Sequence, residues 1–204
     1  MGKLTGVIVI FLFAINLYPQ EIGISPVKLW TNNREIENPI GYGIHAFLPM
    51  GKFGVKFEYM AAKNERSYYG FVSGGFIISP EDFIQESITS KSSYRAFEFS
   101  AHIPRLFEFY QIYLNIGAGM TFDKFTRNKT GLSSGKEYSI SENKFGVFYA
   151  ISLSRYDIFG LPLKMEILFK HKGLAAGNYA TDSDQPFVEA MDIKELQLNF
   201  AYMF

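Results

Sequence analysis

The chain has 204 residues, enough for one domain, and its 20 Lys and Arg balance 20 Asp and Glu. Its formal charge is therefore zero, and the balance gives no reason to expect nucleic acid or another polyanion as partner. Cysteine is absent, which excludes disulfides, thiolate metal sites and a cysteine nucleophile, while 21 Phe and 13 Tyr favour strands.

The first segment, "MGKLTGVIVIFLFAINLYPQ", has one cation, Lys3, then an apolar run from Val7 to Leu17 and a more polar exit. That is the layout of a secretory signal peptide. The run is shorter than the roughly 20 residues of a transmembrane helix. Residues 1–20 are expected to be cleaved near Gln20, leaving 21–204 as a single domain. No later stretch is long and apolar enough for a helical span, and no helical period recurs. Alternation does.

In chain order, "IGISPVKLW" (Ile22 to Trp30) reads as a strand that Pro26 interrupts, because proline cannot donate to a ladder. "IGYGIHAFL" sets Tyr42, Ile44, Ala46 and Leu48 against Gly41, Gly43, His45 and Phe47. "FGVKFEYM" sets Phe53, Val55, Phe57 and Tyr59 against Gly54, Lys56, Glu58 and Met60. "YRAFEFSAHI" opposes Phe97, Phe99, Ala101 and Ile103 to Ala96, Glu98, Ser100 and His102. "YQIYLNIGAGMTF" puts Tyr110, Ile112, Leu114, Ile116, Ala118, Met120 and Phe122 across from Gln111, Tyr113, Asn115, Gly117, Gly119 and Thr121. "FGVFYAISLS" gives Val147, Tyr149, Ile151 and Leu153 one face and Phe148, Ala150, Ser152 and Ser154 the other. "LKMEILFKH" opposes Leu163, Met165, Ile167 and Phe169 to Lys164, Glu166, Leu168 and Lys170. The closing "LQLNFAYMF" presents Leu196, Leu198, Phe200, Tyr202 and Phe204 on one side.

These eight strands are joined by alternating long and short connections. The short ones, "PMGK", "PRLFE" and "RYDIFGLP", have turn chemistry. In an up-and-down meander, every second connection lies at one end. All short turns and both termini therefore fall at one end, and the long loops, mainly residues 62–91, 123–143 and 174–192, at the other; within the first, "RSYYGFVSGGF" also reads as strands continuing above the membrane. Membrane barrels have this asymmetry.

Two observations choose between a soluble barrel, apolar side inward, and a membrane barrel, apolar side outward. The interior of an eight-stranded barrel is just wide enough for side chains to fill it; the bulky set would overfill it, whereas the Gly, Ala and Ser of the other face suit it. The strand charges Lys56, Glu58, Glu98, Lys164, Glu166, Lys170 and Glu195 also lie on the small-residue face. Charge on the bulky face is confined to strand ends, at Arg95 and Lys194. This follows the cost of about 2–4 kcal/mol for Arg or Lys at the bilayer midplane on a barrel's lipid face, which falls near zero at the interface. Phe53, Tyr110, Tyr202 and Phe204 gather toward one interface, and Tyr59, Phe122, Phe145 and Phe169 toward the other, as two aromatic girdles.

The last strand, with Leu198, Phe200 and Tyr202 alternating up to a final Phe204, resembles the C-terminal signal of bacterial outer-membrane proteins. With the leader, strand count and loop asymmetry, the chain resembles the small OmpA-type and OmpX-type eight-stranded barrels. The resemblance implies a bacterial outer-membrane location, recognition of the last strand by the barrel assembly machinery, and a surround of outer-membrane lipid and lipopolysaccharide. It implies a monomer without nucleic acid. No peptidoglycan-binding domain accompanies the barrel, so that anchoring role is not implied.

The lumen charges read as a paired polar core, or alternatively as a gate for a narrow ion path. Some barrels of this size modify lipid A with a His and a Ser. Here His45 and His102 face inward, and His171 faces outward with no Ser two positions away and no nearby carboxylate, so "KHKG" reads as an interfacial basic cluster. Asp182, Asp184 and Glu189 match no calcium-loop spacing and read as solvated loop. The Asn128 sequon has no bearing on a bacterial protein. No catalytic, cofactor or metal residues are assigned. The expected function is a non-enzymatic structural or surface-interaction role through the long loops, toward an unknown extracellular ligand. The alternatives are a narrow gated channel and, third, a lipid A-modifying enzyme.

Overall fold

Alternating side chains build eight strands because residues two apart share a face of the pleat. The computed structural model describes residues 21–32, 38–70, 85–175 and 191–204. The strands are β1 (Glu21–Thr31), β2 (Ile40–Met50), β3 (Phe53–Gly70), β4 (Glu86–Phe109), β5 (Ile112–Gly131), β6 (Glu137–Arg155), β7 (Leu163–Leu174) and β8 (Met191–Met203). Each pairs antiparallel with the next, and β1 pairs with β8, closing the barrel. The expected all-β, eight-stranded up-and-down architecture is the observed one.

The facings predicted from the alternation agree with the burial pattern except at Ala46, which was expected outward and is buried. The bulky set points out: Ile44, Phe57, Phe97, Phe99, Met120, Phe122, Ile151, Ile167 and Phe200 are exposed on the outer surface. The seven predicted lumen charges are all buried. Large inward side chains find room beside glycines: a Cβ on Gly117 would lie 2.6 Å from the His102 ring, and one on Gly23 would lie 2.4 Å from His45.

Four expectations change. The segment 123–143 is not a loop: β5 and β6 pair from Ile112↔Arg155 to Thr130↔Glu137, and only residues 132–136 turn. The alternation there is polar on both faces, which hides a strand standing clear of hydrocarbon. Residues 62–70 and 86–91, from the first long loop, likewise belong to β3 and β4. "PRLFE" is a bulge rather than a turn. Pro104 has no N–H to donate, the register shifts between Ile103 and Phe107, and Arg105 takes φ 56. The chain reverses instead at Tyr110 and Gln111, both at positive φ. The inward face is also not uniformly small or polar, since Leu29, Met60, Tyr94, Phe125 and Ile193 fill its outer half. Pro26 acts as expected: the β1–β8 ladder omits Ser25 and Pro26 and resumes at Val27↔Gln197 in the same register.

The signal segment and the loop acids Asp182, Asp184 and Glu189 lie outside the described residues.

Candidate functional site: the filled lumen and the projecting wall

The interior is stacked in layers from the short-turn end outward. In the first, Lys164 lies 2.9 Å from Glu21 and 3.4 Å from Glu166, and His45 Nε2 lies 3.5 Å from Glu21. Glu166 accepts from Ser152 Oγ at 2.5 Å and from Asn199 at 2.7 Å. Below this layer, Arg105 stacks on Tyr156 at 4.6 Å and on Tyr113 at 5.2 Å.

In the second layer, Lys170 reaches three carboxylates on three strands: Glu58 at 2.8 Å, Glu98 at 2.5 Å and Glu195 at 3.2 Å. Lys172 pairs with Glu98, with Glu195 at 2.5 Å, and donates to Tyr94 Oη at 2.9 Å. Lys56 lies 3.1 Å from Glu58, and Gln197 donates to both Glu58 and Glu195. Tyr94 donates in turn to Asp123. Three lysines thus offset three glutamates, the mutual satisfaction that buried charges require.

The third layer is apolar. Val27, Leu29, Met60, Ala62, Tyr94, Ala96, Phe125, Leu174, Met191 and Ile193 form one buried cluster contributed by six strands.

Adjacency of strands predicts Lys56 and Glu58 beside Glu98, and Lys164, Glu166 and Lys170 beside Glu195. The structure gathers the first group, and Lys170 with Glu195, but places Lys164 and Glu166 with Glu21 in the other layer. Reading the sequence missed Lys172, Glu21 and Asp123, because the predicted strands stopped short of them. Their parity was the available signal: Lys172 continues the series Glu166, Leu168, Lys170. This corrects the reading of "KHKG", whose lysines are interior ion-pair partners while His171 alone faces outward. The absence of a carboxylate near His171 is corrected too: Asp192 lies 3.9 Å away, on β8, and Tyr149 Oη 2.9 Å away, on β6. These partners come from adjacent strands, which sequence spacing along β7 does not reveal. Ser100 Oγ and His102 Nε2 meet at 2.8 Å, but both are buried in the lumen.

The other end is uneven. β3 to β6 run 18, 24, 20 and 19 residues, whereas β1, β2, β7 and β8 run 11, 11, 12 and 13. Four strands therefore project as a curved wall beyond the others. Residues 62–70, 86–96 and 123–144 hold nine Lys and Arg against five Asp and Glu, so a neutral chain carries a basic wall. The wall's tip is fastened by Glu86, whose carboxylate accepts from the backbone N–H groups of Ser133 at 2.7 Å and Ser134 at 2.8 Å, and from the Ser134 hydroxyl.

The Ser134 hydroxyl and the two backbone donors hold the Glu86 carboxyl below its ordinary value of 4.5. A depressed folded-state pKa means this clamp is fully present above about that value and is lost as pH falls through the lower, folded one. Amide exchange of residues 131–136 is therefore expected to quicken on acidification below pH 4.5 in the wild type. In Glu86→Gln it should be fast at all pH values. Exchange in the wild type that ignores pH after correction for intrinsic rates would contradict the clamp.

No family model and no curated protein sequence matches the chain. Solved structures do. Neisserial surface protein A aligns with TM-score 0.56 at 10% identity, covering 91% of this chain and 96% of that one. A major outer membrane protein of Thermus thermophilus aligns at 0.54 with 13% identity, covering 91% and 99%. The attachment invasion locus protein of Yersinia pestis, crystallised with the heparin analogue sucrose octasulfate, aligns at 0.50 with 13% identity, covering 91% and 97%. Among the described residues no helix is long and apolar enough to cross a membrane, and the crossing elements are strands. The exposed apolar belt needs hydrocarbon around it, and the closed ladder leaves no unpaired edge to face that hydrocarbon. Belt, closure and shared fold together make the chain a small eight-stranded outer-membrane β-barrel.

Proposed function

We propose that the barrel is a non-enzymatic surface-interaction protein that presents the β3–β6 wall to the cell exterior, with both termini and the short turns in the periplasm. The observation that carries this reading is the wall itself: four strands continue past the apolar belt and concentrate positive charge that the rest of the chain offsets. A strand pair extending into water contributes nothing to spanning the membrane, so its length serves something outside. The charge favours an acidic ligand such as a sulfated or carboxylated glycan, because clustered cations raise the local concentration of polyanions. The Yersinia barrel seen with a sulfated sugar supports this choice of ligand class.

The layered interior weighs against the channel reading. Two ion-paired layers and an apolar one leave side chains, rather than water, along the axis. The Ser100–His102 pair is enclosed by the same layers, which weighs against lipid chemistry.

The test compares the refolded mature barrel with a variant in which a two-residue Asn-Gly turn joins the register partners Thr126 and Ser141 in place of residues 127–140. Binding to immobilised heparin is expected to weaken with added salt in the wild type. It should drop several-fold in the shortened variant, which loses the exposed Lys136 and the buried Arg127 and Lys129 against one acid, Glu137. Equal binding by both, with the barrel shown folded by its heat-modifiable migration, would remove the wall from the function.

A further inference from the structure

On the outer surface of the same wall, where it leaves the apolar belt, three cations stand together. Arg95 on β4 is paired directly with Lys124 on β5, and Lys63 on β3 lies diagonal to Arg95, since Ala61 is Arg95's partner and Ser93 is that of Lys63. All three side chains are exposed on the outward face. Like charges directly opposed across a ladder repel and destabilise the pair. Farther along this face, β3 and β4 set opposite charges together instead: Lys91 pairs with its register partner Glu65 at 3.3 Å. Among the described residues, Lys63, Arg95 and Lys124 have no carboxylate within ion-pair reach.

Immediately on the belt side of these cations is a continuous row of rings. Tyr59, Phe97, Phe122 and Phe145 are consecutive register partners across β3 to β6, and Tyr59–Phe97 and Phe122–Phe145 stack at 4.9 and 5.1 Å. On the far side the outward residues turn to Ser93, Thr126 and Ser141. The cations therefore occupy the band between an aromatic girdle and water, the depth at which lipid headgroups sit. An anion at that depth, attached to a lipid whose chains lie against the girdle, would relieve the Arg95–Lys124 repulsion. A planar guanidinium beside an ammonium suits a phosphate, the first by a bidentate fork and the second as a point charge.

We propose that Lys63, Arg95 and Lys124 form a docking site on the outside of the barrel for the phosphate groups of a phosphorylated glycolipid, lipid A, in the outer leaflet. The site rests on the reading that the wall end faces the cell exterior. It is separate from any ligand bound by the wall's tip or inner face.

The experiment uses the refolded mature barrel in neutral detergent, titrated with bis-phosphorylated lipid A and followed by native mass spectrometry. Arg95→Gln/Lys124→Gln is expected to weaken binding about tenfold or more, because each cation at the lipid surface adds to the attraction for an anionic headgroup. Its heat-modifiable migration should stay that of the wild type. Lys28→Gln removes an outward cation that already rests 5.6 Å above Trp30, and is expected to bind as the wild type does. Phosphatase-treated lipid A should bind as weakly as the double variant. Undiminished binding by the double variant, equal binding of the dephosphorylated lipid, or equal competition by phosphatidylglycerol would each overturn the proposal. Failure of the wild type to fold in detergent would instead strike at the membrane-barrel reading itself.

Discussion

Lys170→Met is expected to destabilise the barrel by about 3–5 kcal/mol, the cost of removing one partner from a buried ion pair. Lys170 is 1% exposed, and its ammonium is the meeting point of Glu58, Glu98 and Glu195. Without it, three carboxylates remain in the lumen with Lys56 and Lys172 as counter-ions. Lys172 is already engaged with Glu98, Glu195 and Tyr94. The relevant comparison is therefore between a satisfied network and an uncompensated charge. Urea unfolding in micelles, read by tryptophan fluorescence of Trp30 or by loss of the folded gel band, measures the difference. Pairing the substitution with Glu98→Gln should recover part of the loss, because one stranded charge goes with its partner. A shift under about 1 kcal/mol would mean that the lumen is wet enough to screen its charges, as exposed pairs are screened. Planar-bilayer recording of the wild type and Glu98→Ala tests the channel alternative. The wild type is expected to give no steady unitary current, and such a current abolished by Glu98→Ala would overturn the filled-lumen account.

Ile151→Arg is expected to cost about 2–4 kcal/mol when the barrel folds into a bilayer, because an Arg at midplane depth must leave water or deform the lipid. Ile151 lies on β6 among outward Val147, Tyr149 and Leu153, and its register partners are Ile116 and Phe169, so Phe169, expected in the girdle with Phe145, lies in the middle of the belt instead. It is 47% exposed, so the substitution removes little packing and the loss can be assigned to the surrounding medium. Folding yield into lipid vesicles as a function of urea provides the measurement, with Ile151→Leu as the control that changes shape but not charge. In a soluble barrel the same arginine would be neutral or would improve solubility. An unchanged or stabilised variant would thus reverse the assignment of inside and outside.

Much of this architecture was legible along the chain because a pleated strand turns each side chain to one of two faces, so parity alone sorts lipid from lumen. The bulky parity of Tyr42, Ile44, Phe97, Phe99, Tyr149 and Ile151, together with the placement of Lys56, Glu58, Glu98 and Lys170, determined strand count, facing and closure without knowledge of any contact. The same rule became silent wherever both faces meet water: residues 123–143 read as a loop because polar residues on both sides leave no contrast to detect. Which charge meets which was beyond it as well. Lys170 and Glu58 are far apart in sequence, and their contact follows from barrel closure, which carries β7 across the lumen from β3. The opposition of Arg95 and Lys124, the apolar layer above the ion pairs, and the wall raised by β3 to β6 likewise exist only once register is set. Register depends on how neighbouring strands slide against one another, and that is a property of the closed sheet rather than of any one strand.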